Sequence, residues 1–107
     1  MASEALPRVL AELRSGFAAL YGARLRRVYL FGSYARHDQD DESDLDILVV
    51  LASVRQYADE VARTSPLVSD LSLALGISIS PIFVPETAWQ TEDTPFFRNV
   101  RAEAVAM

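Results

Sequence analysis

Eight residues, Asp44 to Leu51, read DLDILVVL, and no other stretch restricts the fold so tightly. The run is short and rich in β-branched residues, which predicts a strand rather than a helix. A strand so apolar at its far end cannot face water on both sides, so other elements must cover it. It also begins on two carboxylates. Asp44 and Asp46 are two residues apart, which in a strand sends both side chains to the same face.

The rest of the chain supplies the cover. Leu6, Val9, Leu10, Leu13, Phe17 and Leu20 recur at helical spacing with Glu12 and Arg14 between them. That pattern predicts an amphipathic helix docked on a core, not a targeting signal. Ser3 is placed to cap it, Pro7 sits in its opening turn and Gly22 near its end. Leu25 to Phe31 reads as a strand, and Gly32-Ser33 breaks it into a helical turn over Tyr34 to His37. Val54 to Arg63 reads as helical. Pro66 is expected to interrupt before a second helix, Leu67 to Leu75, ended by Gly76. ISISPIFV, Ile77 to Val84, is a third strand, which Pro81 either weakens or enters where no ladder bond is needed. Short helices are predicted over Pro85 to Gln90 and from Pro95 through Glu103. The fold class is therefore α/β (α+β), a small mixed β-sheet with helices packed on one face, as a single domain over residues 1–107.

Charge narrows the functions available. The 107 residues carry ten Arg, no Lys and fifteen acids, for a net charge of −5. Six of the acids lie between Asp38 and Asp46, and the remainder of the chain is close to neutral. Such a chain is a poor candidate for general nucleic-acid binding, which depends on neutralising phosphates. No apolar run is long enough to span a membrane. The absence of Cys excludes disulfides, thiol nucleophiles and Cys zinc sites, and suits a cytoplasmic chain. The single His excludes a His-cluster metal site.

The chemistry centres on Gly32-Ser33 followed ten residues later by Asp44-Leu45-Asp46. A Gly after a strand lets the backbone turn tightly and lets a bulky anion approach. Ser33 at the start of a helical turn offers a hydroxyl beside free backbone N–H groups, a ready phosphate site. Two adjacent carboxylates repel, and burying them away from a cation is costly. A divalent metal resolves that conflict, and a hard oxygen pair with room for water and phosphate suits Mg²⁺. A phosphate cradle beside such a pair is what phosphoryl or nucleotidyl transfer requires. Asp38 to Glu42, by contrast, read as a solvated loop.

The run GSYARHDQDDESDLDILV resembles the signature of the minimal nucleotidyltransferases of the DNA polymerase β superfamily. That signature is Gly-Ser, ten residues, then Asp-x-Asp, with an Arg three residues after the Ser and a Ser just before the first Asp. Arg36 and Ser43 stand at those places. Chain length and element order extend the resemblance to nearly the full chain. It implies that Gly32, Ser33 and Arg36 bind the phosphates of ATP or another NTP. It implies further that Asp44 and Asp46 hold Mg²⁺ and are catalytic, and that a nucleotidyl group passes to an acceptor hydroxyl with release of pyrophosphate. Many small members of the family resemble antitoxins whose partners are HEPN-domain toxins, and some attach AMP to a tyrosine of the toxin. The implied partner is therefore a protein of that kind.

One departure separates this chain from the pattern. The family usually carries a third carboxylate on a later strand, where it completes the metal site and can serve as base. ISISPIFV has no acid. Ser78 or Ser80 takes the missing place, and Glu86 beyond the strand is the nearest acid. The alternative to an enzyme is thus a catalytically weak or inactive antitoxin-like module that neutralises its partner by complex formation. Arg98 and Arg101 share one face of the last helix and read as surface charge or as groups reaching a triphosphate or a partner. His37 reads as solvated, Trp89 as a helix anchor, and Tyr29 and Tyr34 as packing.

Overall fold

The computed structural model describes residues 6–107; the Ser3 cap lies outside the described residues. Val9, Leu13, Phe17 and Tyr21, each four residues apart, form one buried stripe along helix α1, Leu6–Tyr21. A 3-10 turn, Gly22–Arg24, leads into strand β1, Leu25–Phe31. One helical turn follows, α2, Ser33–Arg36, then the acidic loop and strand β2, Leu45–Leu51. Helix α3, Tyr57–Leu75, crosses over to strand β3, Ile79–Pro85. Two short helices, α4 (Glu86–Thr91) and α5 (Pro95–Glu103), and a two-residue strand β4 (Val105–Ala106) complete the order.

The sheet runs β3-β2-β1-β4. β1 pairs antiparallel with both β2 and β4, and β2 pairs parallel with β3. A parallel pair needs a long crossover, which α3 provides. The strand expected to need cover is central, and all its residues are buried except Asp46, which is half-buried. Its pleat divides the core. Leu45, Ile47, Val49 and Leu51 meet α1 and α3, with Val28 and Leu30 of β1 and Phe83 of β3. Leu48 and Val50 meet Ala88, Phe97 and Val100 on the opposite face.

The expected small mixed sheet with helices packed on one face is present, with α1 and α3 forming that layer, and the structure extends it in three ways. α4 and α5 cover the second face, because Phe31, Leu48, Val50 and Val84 are apolar there and would otherwise face water. β4 adds an edge strand too short to leave a local signature. α3 is also continuous where Pro66 was expected to divide it. Pro66 removes the hydrogen bond to the Ala62 carbonyl. Both residues lie on the exposed side, where the freed carbonyl is open to solvent, while Thr64 and Leu67 hold the inner side to the core. Gly16 lets the long helices touch, since a Cβ there would lie 2.6 Å from the Leu67 methyls. Pro81 is accommodated because β3 is an edge strand. At α5, Thr94 accepts from the Phe97 N–H and Pro95 opens the helix, a regular N-terminal cap. No helix among the described residues is long and apolar enough to cross a membrane.

Candidate active site

β1 delivers Phe31 directly opposite Asp46 of β2. Gly32 follows with φ 75° and ψ −157°, a conformation open essentially to Gly alone. A Cβ at this position would lie 2.2 Å from Asp46 Oδ2, so the carboxylate rests directly on the Gly32 α-carbon. The Gly32 carbonyl accepts from the N–H groups of Ala35 and Arg36 at 3.0 and 3.1 Å, which winds α2. His37 closes that turn in the left-handed region, exposed to solvent as expected. The turn that places Ser33 and the strand that places Asp46 thus meet at one point, although the residues lie thirteen apart in the chain.

The acidic loop organises itself. Asp40 Oδ1 accepts from the Glu42 N–H and the Ser43 hydroxyl, and Ser43 Oγ accepts from the Asp40 N–H. Ser43 therefore shapes the turn that leads into Asp44. Asp44 is exposed and lies one residue before β2, whereas Asp46 is half-buried within it.

The strand register settles which serine stands beside the carboxylates. The Leu45 N–H donates to the Ser78 carbonyl at 2.9 Å, which starts the parallel pairing. Asp46 then lies opposite Ser80. Neighbours in register share a face, so Ser80 is beside Asp46, while Ser78 is exposed outside β3. Glu86 does not substitute for the missing acid. It lies past the far end of β3, about 20 Å away at the strand's rise per residue, and pairs with Arg26 at 3.6 Å. The direction of the parallel strand is the reason.

A different acid does approach. Glu103, the last residue of α5, accepts from the Gly32 N–H at 3.0 Å and from Arg36 Nη1 at 2.8 Å. Arg36 Nε also donates to Asp38 at 3.2 Å. These bonds, that to Glu103 first and that to Asp38 second, hold the guanidinium more firmly protonated than usual. Arg36 thus pairs with the acidic loop through Asp38 and stands beside the Gly32-Ser33 turn. Nothing in the sequence near Glu103 marks it. It is one acid in a helix whose visible pattern is apolar and Arg-rich, 57 residues from Asp46.

Burial holds the Asp46 carboxyl above the usual carboxylate range, and the charges of Asp44 and Glu103 push it the same way, with Arg36 opposing. A cation at the Asp pair would relieve that strain. Among the described residues no three His, Cys, Asp or Glu side chains are arranged to hold a metal ion by themselves. Asp44 and Asp46 form a two-carboxylate oxygen set that fits a hard divalent cation completed by phosphate oxygens and water. Arg98 pairs with Asp93 at 3.4 Å. Arg101 donates to the Trp89 and Ala88 carbonyls and lies over the Trp89 and Phe97 rings. Both arginines are thus engaged away from the turn. Trp89 anchors α4 against Tyr29, and Tyr34 is buried in the first core, as expected.

Residues 10–93 match the family model described as nucleotidyltransferase domain. A Methanocaldococcus jannaschii protein, provisionally named a protein adenylyltransferase, is 34% identical over 79 residues, 74% of this chain and 79% of its own length. A solved structure provisionally described as a minimal nucleotidyltransferase superposes with a TM-score of 0.67 at 24% identity, over 100% of this chain and 97% of that one. A chain of the complex between a tri-AMPylated Shewanella oneidensis HEPN toxin and an MNT antitoxin superposes at 0.54 with 20% identity, over 94% of this chain and 66% of that one. At such identities the solved structures show a shared fold.

Proposed function

The chain belongs to the nucleotidyltransferase domain family, and on that premise we propose that it transfers AMP from ATP to a hydroxyl of a partner protein, a HEPN-domain toxin. The observation that carries the reading is the contact of Asp46 with Gly32, which joins the carboxylate pair and the phosphate turn in one site. Ser33 offers its hydroxyl and backbone N–H to the terminal phosphates, and Arg36 offers a guanidinium to the same charge. Asp44 and Asp46 are the residues that would hold Mg²⁺, which when bound neutralises phosphate charge and polarises the α-phosphoryl group. The acceptor oxygen bonds to the α-phosphorus as the bond to the β-phosphate oxygen breaks. Pyrophosphate leaves, and the hydroxyl proton goes to solvent. The acidic loop and the net charge of −5 favour a protein acceptor over a nucleic acid.

Ser80 favours a second reading. A serine hydroxyl is a weak metal ligand and no base at neutral pH, and a positioned base is worth about 10²–10⁴ in rate. With Ser80 beside Asp46, the chain can be a slow enzyme, or a module that neutralises its partner by covering it.

Covalent labelling separates the readings. The chain is incubated with Mg²⁺, a HEPN-domain protein from the same cells, and ATP labelled at either the α- or the γ-phosphate. Label from the α-position alone is expected on the HEPN protein. Neutralisation of the toxin with no label from either position would select the covering role, and label from the γ-position would exclude nucleotidyl transfer.

A further inference from the structure

Glu103 uses donors that a triphosphate also needs. Its two carboxylate oxygens take separate partners, Oε1 the Gly32 N–H and Oε2 the Arg36 guanidinium. Its side chain is mostly buried, at 21% exposure, so the contact is built into the junction of α5 with the turn rather than formed by a mobile surface group. Its position is also unfavourable on local grounds. A carboxylate in the last turn of a helix sits at the negative end of the backbone dipole, where a cation would be favoured. It adds a third negative charge near Asp44 and Asp46, with Arg36 as the opposing cation. Contacts with Gly32 and Arg36 offset those costs.

A phosphate oxygen and a carboxylate oxygen accept from N–H donors with similar geometry. A single N–H and a single guanidinium edge cannot serve both fully. We infer that Glu103 is an internal competitor of the triphosphate: in the free chain its carboxylate occupies the anion position made by Gly32 and Arg36, nucleotide displaces it, and Glu103 thereby sets nucleotide affinity. The inference rests on the nucleotide site proposed above and adds a residue that limits its affinity. Two residues past Glu103, Val105 begins β4 and pairs with Leu30 of β1, which holds the end of α5 beside the sheet.

Glu103→Gln tests this. The amide oxygen can still accept from the Gly32 N–H, but the competing charge is gone. Affinities for MgATP and for inorganic tripolyphosphate are measured by calorimetric titration of the full chain and the variant, with Glu103→Ala as a second variant. Tighter binding of both probes is expected in Glu103→Gln, by about tenfold, the effect of one charge-assisted hydrogen bond no longer competed for. A merely structural Glu103, one that only props the turn, predicts the opposite sign. Wild-type binding that is unchanged or weakened in both variants would overturn the competitor role and leave the nucleotide site standing. If neither probe binds to wild type or to either variant, the nucleotide reading fails and this inference with it.

Discussion

Asp46→Asn is expected to remove AMP transfer while making the ligand-free chain melt at a higher temperature. The loss follows from taking away half of the oxygen pair that would hold the cation. Charge stabilisation by a metal is worth several kcal/mol, so the rate falls by about 10³-fold or more. The gain in stability follows from the state of the same carboxyl before anything binds. Burial raises its pKa, and Asp44 and Glu103 raise it further. An acid whose folded pKa lies above its unfolded value contributes stability below the unfolded pKa and loses it as pH rises through the folded value. At pH 7 the wild type therefore bears a penalty that Asn does not. The variant should therefore melt above the wild type at pH 7. The gain should shrink as pH falls through the raised folded pKa and vanish below the ordinary carboxylate range, and it should shrink when Mg²⁺ and ATP are added to the wild type. A variant within tenfold of wild-type transfer, or one that melts lower at pH 7, would contradict the account.

Glu60→Ala is expected to have the largest effect on stability, at the end of the sheet away from the site. Glu60 is 3% exposed and anchors three donors: the Tyr21 hydroxyl at 2.9 Å, Arg24 Nη2 at 3.0 Å and Arg63 Nε at 3.2 Å. Arg24 also donates to the Ser53 carbonyl, so the cluster ties α1, the 3-10 turn and α3 to the loop after β2. Removal of the carboxylate leaves the Tyr21 hydroxyl without its partner and two guanidinium groups over one ring. Breaking such a buried pair costs about 3 kcal/mol here, the low end of the usual range because both arginines are partly exposed. That lowers the melting temperature by more than about 12 °C. The pH dependence is opposite to that of Asp46. Burial pushes the Glu60 carboxyl up, but hydrogen bonds from Arg24, Tyr21 and Arg63 outweigh it, and the net pKa is below the ordinary value. Its stability is present above the unfolded pKa and lost as pH falls through the lower folded value. Urea unfolding from neutral to acid pH should show wild type and variant converging on the acid side. A difference under about 1 kcal/mol at pH 7 would show that the cluster is not structural.

What local patterns determine was readable from the residues. β-Branched and aromatic residues locate β1 and β2, Gly76 ends α3, and the stripe from Val9 to Phe17 gives α1 its buried face. The two-residue spacing of Asp44 and Asp46 places a carboxylate pair at the start of a strand. The Gly before Ser33 is required by a backbone angle and by the Asp46 oxygen resting on it. What depends on distant parts of the chain was not readable. Whether Ser78 or Ser80 meets Asp46 is a matter of register between strands more than thirty residues apart. A shift of one residue turns every side chain to the other face. Glu86 is near in sequence to that strand but beyond its far end, because β3 runs parallel to β2. Glu103 reaches Gly32 only because α5 folds back over the second face of the sheet, and a helix carrying one acid gives no sign of that. α3 passes through Pro66 because packing on its inner side outweighs one lost bond on its exposed side.

The central claim is that Asp44, Asp46 and the Gly32-Ser33 turn form one metal-dependent nucleotide site. Calorimetric titration with ATP tests it most directly, performed with Mg²⁺ and with a chelator, on the wild type and on Asp44→Asn/Asp46→Asn. The account predicts saturable binding by the wild type that requires Mg²⁺ and is lost in the double variant, while the variant remains folded by circular dichroism. Binding of equal affinity in the double variant, or no binding by the wild type with Mg²⁺ present, would contradict it.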